Sequence, residues 1–204
     1  GPKILAANHP TTTDPFLITT LTQEPVSVLV TAGAFEVPVF GRYLRRAGHV
    51  PAVRNSNGAT VDALIQKLEA GGTVAIFPEG SISPLEGGFN RPHSGIARVA
   101  IRSGVPVIPV GIGLQRERIR CYDTTLDGEP EILTWYLNGQ YALTVGEPLS
   151  FGGDVKNREY VRSAADQIMQ HIVHLSHASS RRVERVPALV PQIDTGPAEL
   201  ANLG

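Results

Sequence analysis

The amino-acid sequence predicts an α/β fold: a mostly parallel central sheet covered by helices on both faces, in a single domain. Three observations predict it. Short apolar, β-rich runs alternate with helical patterns along the chain, the order expected when strands and helices interleave. Several of those runs are solidly apolar where a half-exposed strand would alternate, as in strands buried on both faces. The length of 204 residues, with 42% hydrophobic and 18% charged, suits one ordinary core.

The elements follow in order. Strands are predicted at "KILAAN" (3–8), "VSVLV" (26–30), "HVPAV" (49–53), "TVAIF" (73–77), "VPVIPVGI" (105–112) and "YALTV" (141–145), the last bounded by Gly139 and Gly146. Helices are predicted near 14–22, 39–47, 58–70, 93–103 and 158–178. Pro10 disfavours helix at His9 and suits a loop, and the threonines after it can cap the following helix. Residues 1–183 form the domain, and 184–204 mix Pro, Gly and small residues without periodicity, as in an extended tail. Because "GPKILAANH" runs straight into a strand, either a preceding segment such as a membrane anchor is missing or Gly1 and Pro2 are a cleavage scar.

Composition excludes several classes of function. A net charge of -1 gives no global attraction to nucleic acid. Basic charge is uneven: Arg42, Arg45, Arg46 and Arg54 follow a stretch without cations, and 15 of the 18 basic residues are arginine, suited to forked contacts with anions. The lone Cys121 excludes an internal disulfide and fits a reducing compartment. It has no motif around it and reads as inert, not as a thioester nucleophile. No apolar run approaches the roughly 18 residues a membrane-spanning helix needs.

The candidate chemistry begins at "ANHPTTTDPF" (7–16), where His9 and Asp14 stand five residues apart. On one helix that spacing would put them roughly 140° apart, so the pair must straddle a turn. A strand-to-helix loop lets Asp14 fold back and accept from one imidazole nitrogen, leaving the other free as a base for a hydroxyl proton. By the rule that ligands sit beyond the carboxyl ends of parallel strands, three segments matter most: "NHPTTTD", "RNSNG" and "PEGSIS". Downstream, "GHVPAVR" (48–54), "IFPEGSIS" (76–83) and "VPVIPVGI" (105–112) follow in order.

That ordered series resembles the PlsC-type glycerolipid acyltransferases, the family of 1-acylglycerol-3-phosphate O-acyltransferase. The family's motifs are NHx4D, a glycine-to-arginine segment, FPEG and a late proline-containing strand. The resemblance spans Asn8 to about Ile112. It implies a glycerol-3-phosphate acyltransferase-like fold and transfer of a fatty acyl group from acyl-CoA or acyl carrier protein to an alcohol, with no acyl-enzyme, no cofactor and no metal. His9 becomes the general base and Asp14 its orienting partner. Arg54 and the turn of Glu79, Gly80 and Ser81 help hold the acceptor, while Asn8, Phe77, Pro78, Val107 and Pro109 support the motifs.

Two departures bear on the acceptor. At the position where the family usually has arginine after FPEG, this chain has Ile82, and residues 30–41 lack the usual lysine. Neutral residues cannot give charge-assisted hydrogen bonds to a phosphate. The expected acceptor is therefore a lipid or polyol whose phosphate is absent or displaced, and not simple lysophosphatidic acid, with Arg91 compensating in part. The implied partners are an acyl thioester or acyl carrier protein, a lipid or polyol acceptor and the membrane surface. The implied location is cytoplasmic, peripheral to the inner face of the cell membrane.

Other residues have plainer readings. His171, His174 and His177 recur every three positions on the last helix and fit a polar face better than a zinc site, since no acid or thiol stands nearby in sequence. Arg116, Arg118 and Arg120 alternate as on one strand face, where they could meet anions or protect an edge. A hydrolase would need a nucleophile, and Ser81 lacks the nucleophile-elbow pattern. A catalytically silent lipid- or acyl-carrier-binding module is the alternative left open by the missing cations.

Overall fold

A computed structural model of the chain describes residues 1–53, 57–126 and 129–185. Six strands form the central sheet: β1 (Lys3–Ala7), β2 (Val26–Thr31), β3 (Val50–Ala52), β4 (Thr73–Ile76), β5 (Val107–Leu114) and β8 (Tyr141–Val145). Their order is β3-β2-β4-β1-β5-β8. The pairs from β3 to β5 are parallel, and β8 runs antiparallel to β5. A separate antiparallel hairpin, β6 (Arg120–Leu126) and β7 (Glu129–Trp135), leaves the carboxyl end of β5.

The solid apolar runs are explained by two cores. Along β1, Ile4 and Ala6 face one layer while Leu5 and Ala7 face the other; along β4 and the residue after it, Val74 and Ile76 oppose Ala75 and Phe77 in the same way. The first layer is made by the three long helices α3 (Asn57–Glu69), α4 (Gly95–Ser103) and α5 (Arg158–Arg185). The second is thinner, with Ile18 of α1 (Asp14–Ile18) and Leu21 of the following 3-10 turn against the middle strands. Beyond the carboxyl end of β2, α2 (Phe40–Arg46) packs Leu44 onto Phe35 and Ala34. Helices thus cover both faces, unequally.

Pro109 lies in the middle of a buried strand, where a missing N–H normally breaks a ladder. Its carbonyl accepts from Gly146 N–H at 2.9 Å on the β8 side, and its ring nitrogen faces that same side, so the β1 ladder is untouched. Val107, fully buried, faces the helix layer and exchanges backbone bonds with Leu149 at 2.8 Å in both directions.

Three expectations are corrected. The last helix runs past residue 178 to Arg185, with Ser176 and Ser179 buried on β5 and not solvated. A Cβ on Gly111 or Gly113 would come within 2.0 or 2.4 Å of the α5 backbone, so only glycine allows this approach and only small residues fit opposite. Arg116 and Arg118 lie in a 3-10 turn and share no strand face with Arg120; Arg116 instead donates to the carbonyls of Pro84 and Leu85. The predicted helix over 14–22 is α1 followed by a 3-10 turn from Thr19. Of the expected tail, residues 186–204 lie outside the described residues, as does Arg54.

Candidate active site

β1 ends at Ala7, and the next residue, Asn8, prolongs its pairing with β5 through its side chain. Asn8 Oδ1 accepts from Ile112 N–H at 2.7 Å and Nδ2 donates to Ile112 C=O at 3.1 Å, as a backbone neighbour would. Nδ2 also donates to Ser176 Oγ of α5 at 3.3 Å. The buried amide therefore fixes where the chain leaves the sheet, and His9 is the residue that emerges.

The His9 ring stacks on Phe77 with centroids 4.2 Å apart and planes 21° from parallel. Its Nδ1 lies 3.0 Å from Asp14 Oδ2. Asp14 is fully buried, and both of its oxygens are filled: Thr11 N–H donates to Oδ2 at 2.7 Å, while Thr11 Oγ1 and Tyr141 Oη donate to Oδ1 at 2.8 and 3.0 Å. Four donors around one carboxylate are what a buried anion requires. With Nδ1–H donated to Asp14, the Nε2 lone pair is left to act as a base. The sequence spacing is thus realised across the turn.

Tyr141 had no signal in the sequence beyond its strand. Burial first, and then the neighbouring Asp14 charge, push its phenol far above the ordinary value, so it stays a hydrogen-bond donor. The threonines do something other than capping. Thr13 stands at the N-cap of α1 without a side-chain capping bond, and each threonine is used elsewhere. Thr11 holds Asp14; Thr12 exchanges bonds with Thr134, its N–H reaching Thr134 C=O at 2.7 Å; Thr13 Oγ1 accepts from Tyr136 N–H at 3.1 Å. The loop is thereby latched to the end of the β6–β7 hairpin.

After β4, the chain turns through Phe77, Pro78, Glu79 and Gly80. Glu79 is 2% exposed, and its carboxylate faces inward: Oε1 accepts from His9 N–H at 3.0 Å and Ser83 Oγ at 2.7 Å, Oε2 from Asn90 N–H at 2.7 Å. It ties the His9 loop to the loop that follows. Gly80 has φ +70°, and a Cβ there would come within 2.5 Å of the His93 ring. Ser81 is exposed and accepts from Asn90 Nδ2 at 3.2 Å; Ile82 is half-buried; Arg91 is exposed on the same loop. The structure so brings Asn8, His9, Asp14, Phe77 and Glu79 together. Among the described residues no cluster of three or more histidine, cysteine or acidic groups could hold a metal ion, and His177 of the histidine series packs against Phe89.

A His–Asp pair standing at the carboxyl end of a parallel sheet, locked to the FPEG turn by a buried glutamate, defines the class of the protein. The Acyltransferase family model matches residues 1–113, and the chain belongs to that family. Among solved structures it is similar to the 1-acyl-sn-glycerophosphate (LPA) acyltransferase PlsC from Thermotoga maritima, at 24% identity and a TM-score of 0.58. That likeness covers 90% of this chain and 65% of the other, so the chain spans somewhat less than two thirds of that protein's length. It bears out the α/β fold expected from the motifs. No curated protein matches the chain significantly.

Proposed function

We propose that the protein is an O-acyltransferase that moves a fatty acyl group from an acyl thioester, on coenzyme A or acyl carrier protein, to a hydroxyl of a glycerolipid-like acceptor. The observation that carries this reading is the His9–Asp14 contact of 3.0 Å with Nε2 left unbonded to Asp14. In the reaction, Nε2 takes the proton of the acceptor hydroxyl as its oxygen attacks the thioester carbonyl. Asp14 stabilises the imidazolium that results, and the proton then passes to the departing thiolate. A base of this kind contributes on the order of 10² to 10⁴ in rate. Glu79 acts by holding the His9 backbone, while Gly80, Ser81, Arg54 and Arg91 serve the acceptor.

The acceptor we favour lacks a phosphate at the family's usual place, since Ile82 and residues 30–41 supply no cation. No described helix is long and apolar enough to cross a membrane. In this reading the lipid acceptor is met by peripheral contact with the inner face of the cell membrane. The test is release of free thiol from acyl-CoA and acyl carrier protein with a panel of alcohols. Turnover that vanishes in His9→Ala supports the reading. Lysophosphatidic acid proving the best acceptor would refute the phosphate argument, and background release with every acceptor would leave a silent binding module.

A further inference from the structure

The segment after β2 carries a feature that the reaction does not use. Pro38, Val39 and Phe40 form a γ-turn of the positive-φ kind: Val39 has φ 67° and ψ -54°, and Phe40 N–H donates to Pro38 C=O at 2.8 Å. This form of the turn is rare and strained, more so for a β-branched residue. Val39 stands out into solvent at 80% exposure, with Val37, Phe40 and Tyr43 also exposed around it. The ridge is braced from below. A Cβ on Gly41 would sit 1.8 Å from Phe35 C=O, so glycine lets α2 close onto the 3-10 turn of Ala32–Phe35, and Arg45 donates to that same carbonyl at 2.7 Å. Arg42 and Arg46, on the same short helix, remain exposed.

A rigid convex ridge with an apolar tip and flanking arginines is the pattern of an interfacial anchor on anionic lipid. It follows the carboxyl end of β2, and so lies at the same end of the sheet as His9, which follows β1. We infer that the ridge of residues 37–43 inserts Val39 and Phe40 into the surface of an anionic bilayer, with Arg42 and Arg46 against the lipid headgroups. An acidic protein such as a carrier would meet the arginines equally well. It gives no reason for a strained, projecting valine, whereas a bilayer buries such a tip without needing a matching cavity. The inference deepens the reading of a lipid acceptor and rests on it for its purpose, but binding can be measured without turnover.

The experiment is co-sedimentation of the protein with vesicles of phosphatidylcholine, with and without phosphatidylglycerol. Wild type and His9→Ala are expected to bind the anionic vesicles alike, so loss of acyl transfer and loss of binding remain separable. Val39→Asp should weaken partition by roughly tenfold or more, while Val39→Leu keeps it. Arg42→Gln with Arg46→Gln should weaken it by about tenfold on anionic vesicles and leave neutral vesicles unaffected. Unchanged melting and unchanged turnover of a water-soluble acceptor show that these variants fold. Wild type that ignores anionic vesicles overturns the inference. So does a Val39→Asp variant that binds them as wild type does, including the case in which it loses turnover only with acyl carrier protein.

Discussion

Tyr141 Oη donates to Asp14 Oδ1 at 3.0 Å, from the first residue of β8 to the first residue of α1. The tyrosine gives the carboxylate a donor on the side away from His9, so Asp14 cannot rotate out of its contact with the imidazole without abandoning a buried bond.

Tyr141→Phe removes that donor and keeps the ring. A lost hydrogen bond to a buried charge costs about 1.5–3 kcal/mol of stability. If about 1 kcal/mol of that is felt where the imidazolium forms, kcat falls roughly fivefold. KM for the thioester should hardly move. Steady-state kinetics beside a denaturation curve would check this, and a fall in KM-linked binding alone would show that Tyr141 does not act through Asp14.

Asp14→Asn tests the pair itself. An amide of the same shape presents an NH2 group to some of the four donors that now surround the carboxylate, and it cannot favour both the Nδ1–H tautomer and the charged imidazolium. The expected loss is on the order of 10² to 10⁴ in kcat, measured by thiol release. His9→Ala should be as severe. The double variant should be scarcely worse than either single one, because the two residues act as a unit; additive losses would mean that they do not.

Much of this site was legible because its residues fall in two short segments. His9, Asp14, Glu79 and Gly80 sit in segments that follow parallel strands, where the carboxyl-end rule directs attention. Tyr141 escaped the same rule for a physical reason. β8 is antiparallel, so its amino end lies at the crevice, and no local pattern in "YALTV" reveals a strand's direction. The β6–β7 hairpin was missed for another reason: its strands are largely exposed, so "RCYDTTL" and "EPEILTW" lack the apolar alternation of a half-buried sheet. The threonines read as caps because capping is their commonest use beside a helix. Thr11 instead bonds Asp14 three residues on, and the partners of Thr12 and Thr13, Thr134 and Tyr136, are more than 120 residues away.

The close contact of α5 with β5 should be intolerant of a single methyl group. Gly113→Ala would put a Cβ 2.4 Å from the Ser179 carbonyl carbon, and Gly111→Ala would put one 2.0 Å from that of Leu175. These are backbone atoms that cannot turn aside, so each substitution should cost about 3 kcal/mol or more. Gly95→Ala is the control, since nothing lies within 4 Å of its Cβ and alanine suits a helix better. Denaturant midpoints should drop sharply for the first two and hold or rise for the third. Equal effects at all three positions would place the tight packing elsewhere.

His49 should make stability depend on pH. Its Nδ1 accepts from Val28 N–H at 3.0 Å, prolonging the β2–β3 pairing, so the ring is needed neutral with its proton on Nε2. Burial first, and then the Lys67 charge, lower its pKa below the ordinary 6.5. The sign follows. Above about pH 6.5 neither state binds the proton and the bond contributes fully. As pH falls below that value the unfolded chain takes up a proton that the folded one refuses, so stability declines. It levels off only below the folded pKa, where both states are protonated. In His49→Gln the side-chain carbonyl can still accept from Val28, but nothing titrates there. Unfolding curves between about pH 5 and 7 should therefore fall less steeply for the variant than for wild type, and parallel slopes would show that His49 carries no such linkage.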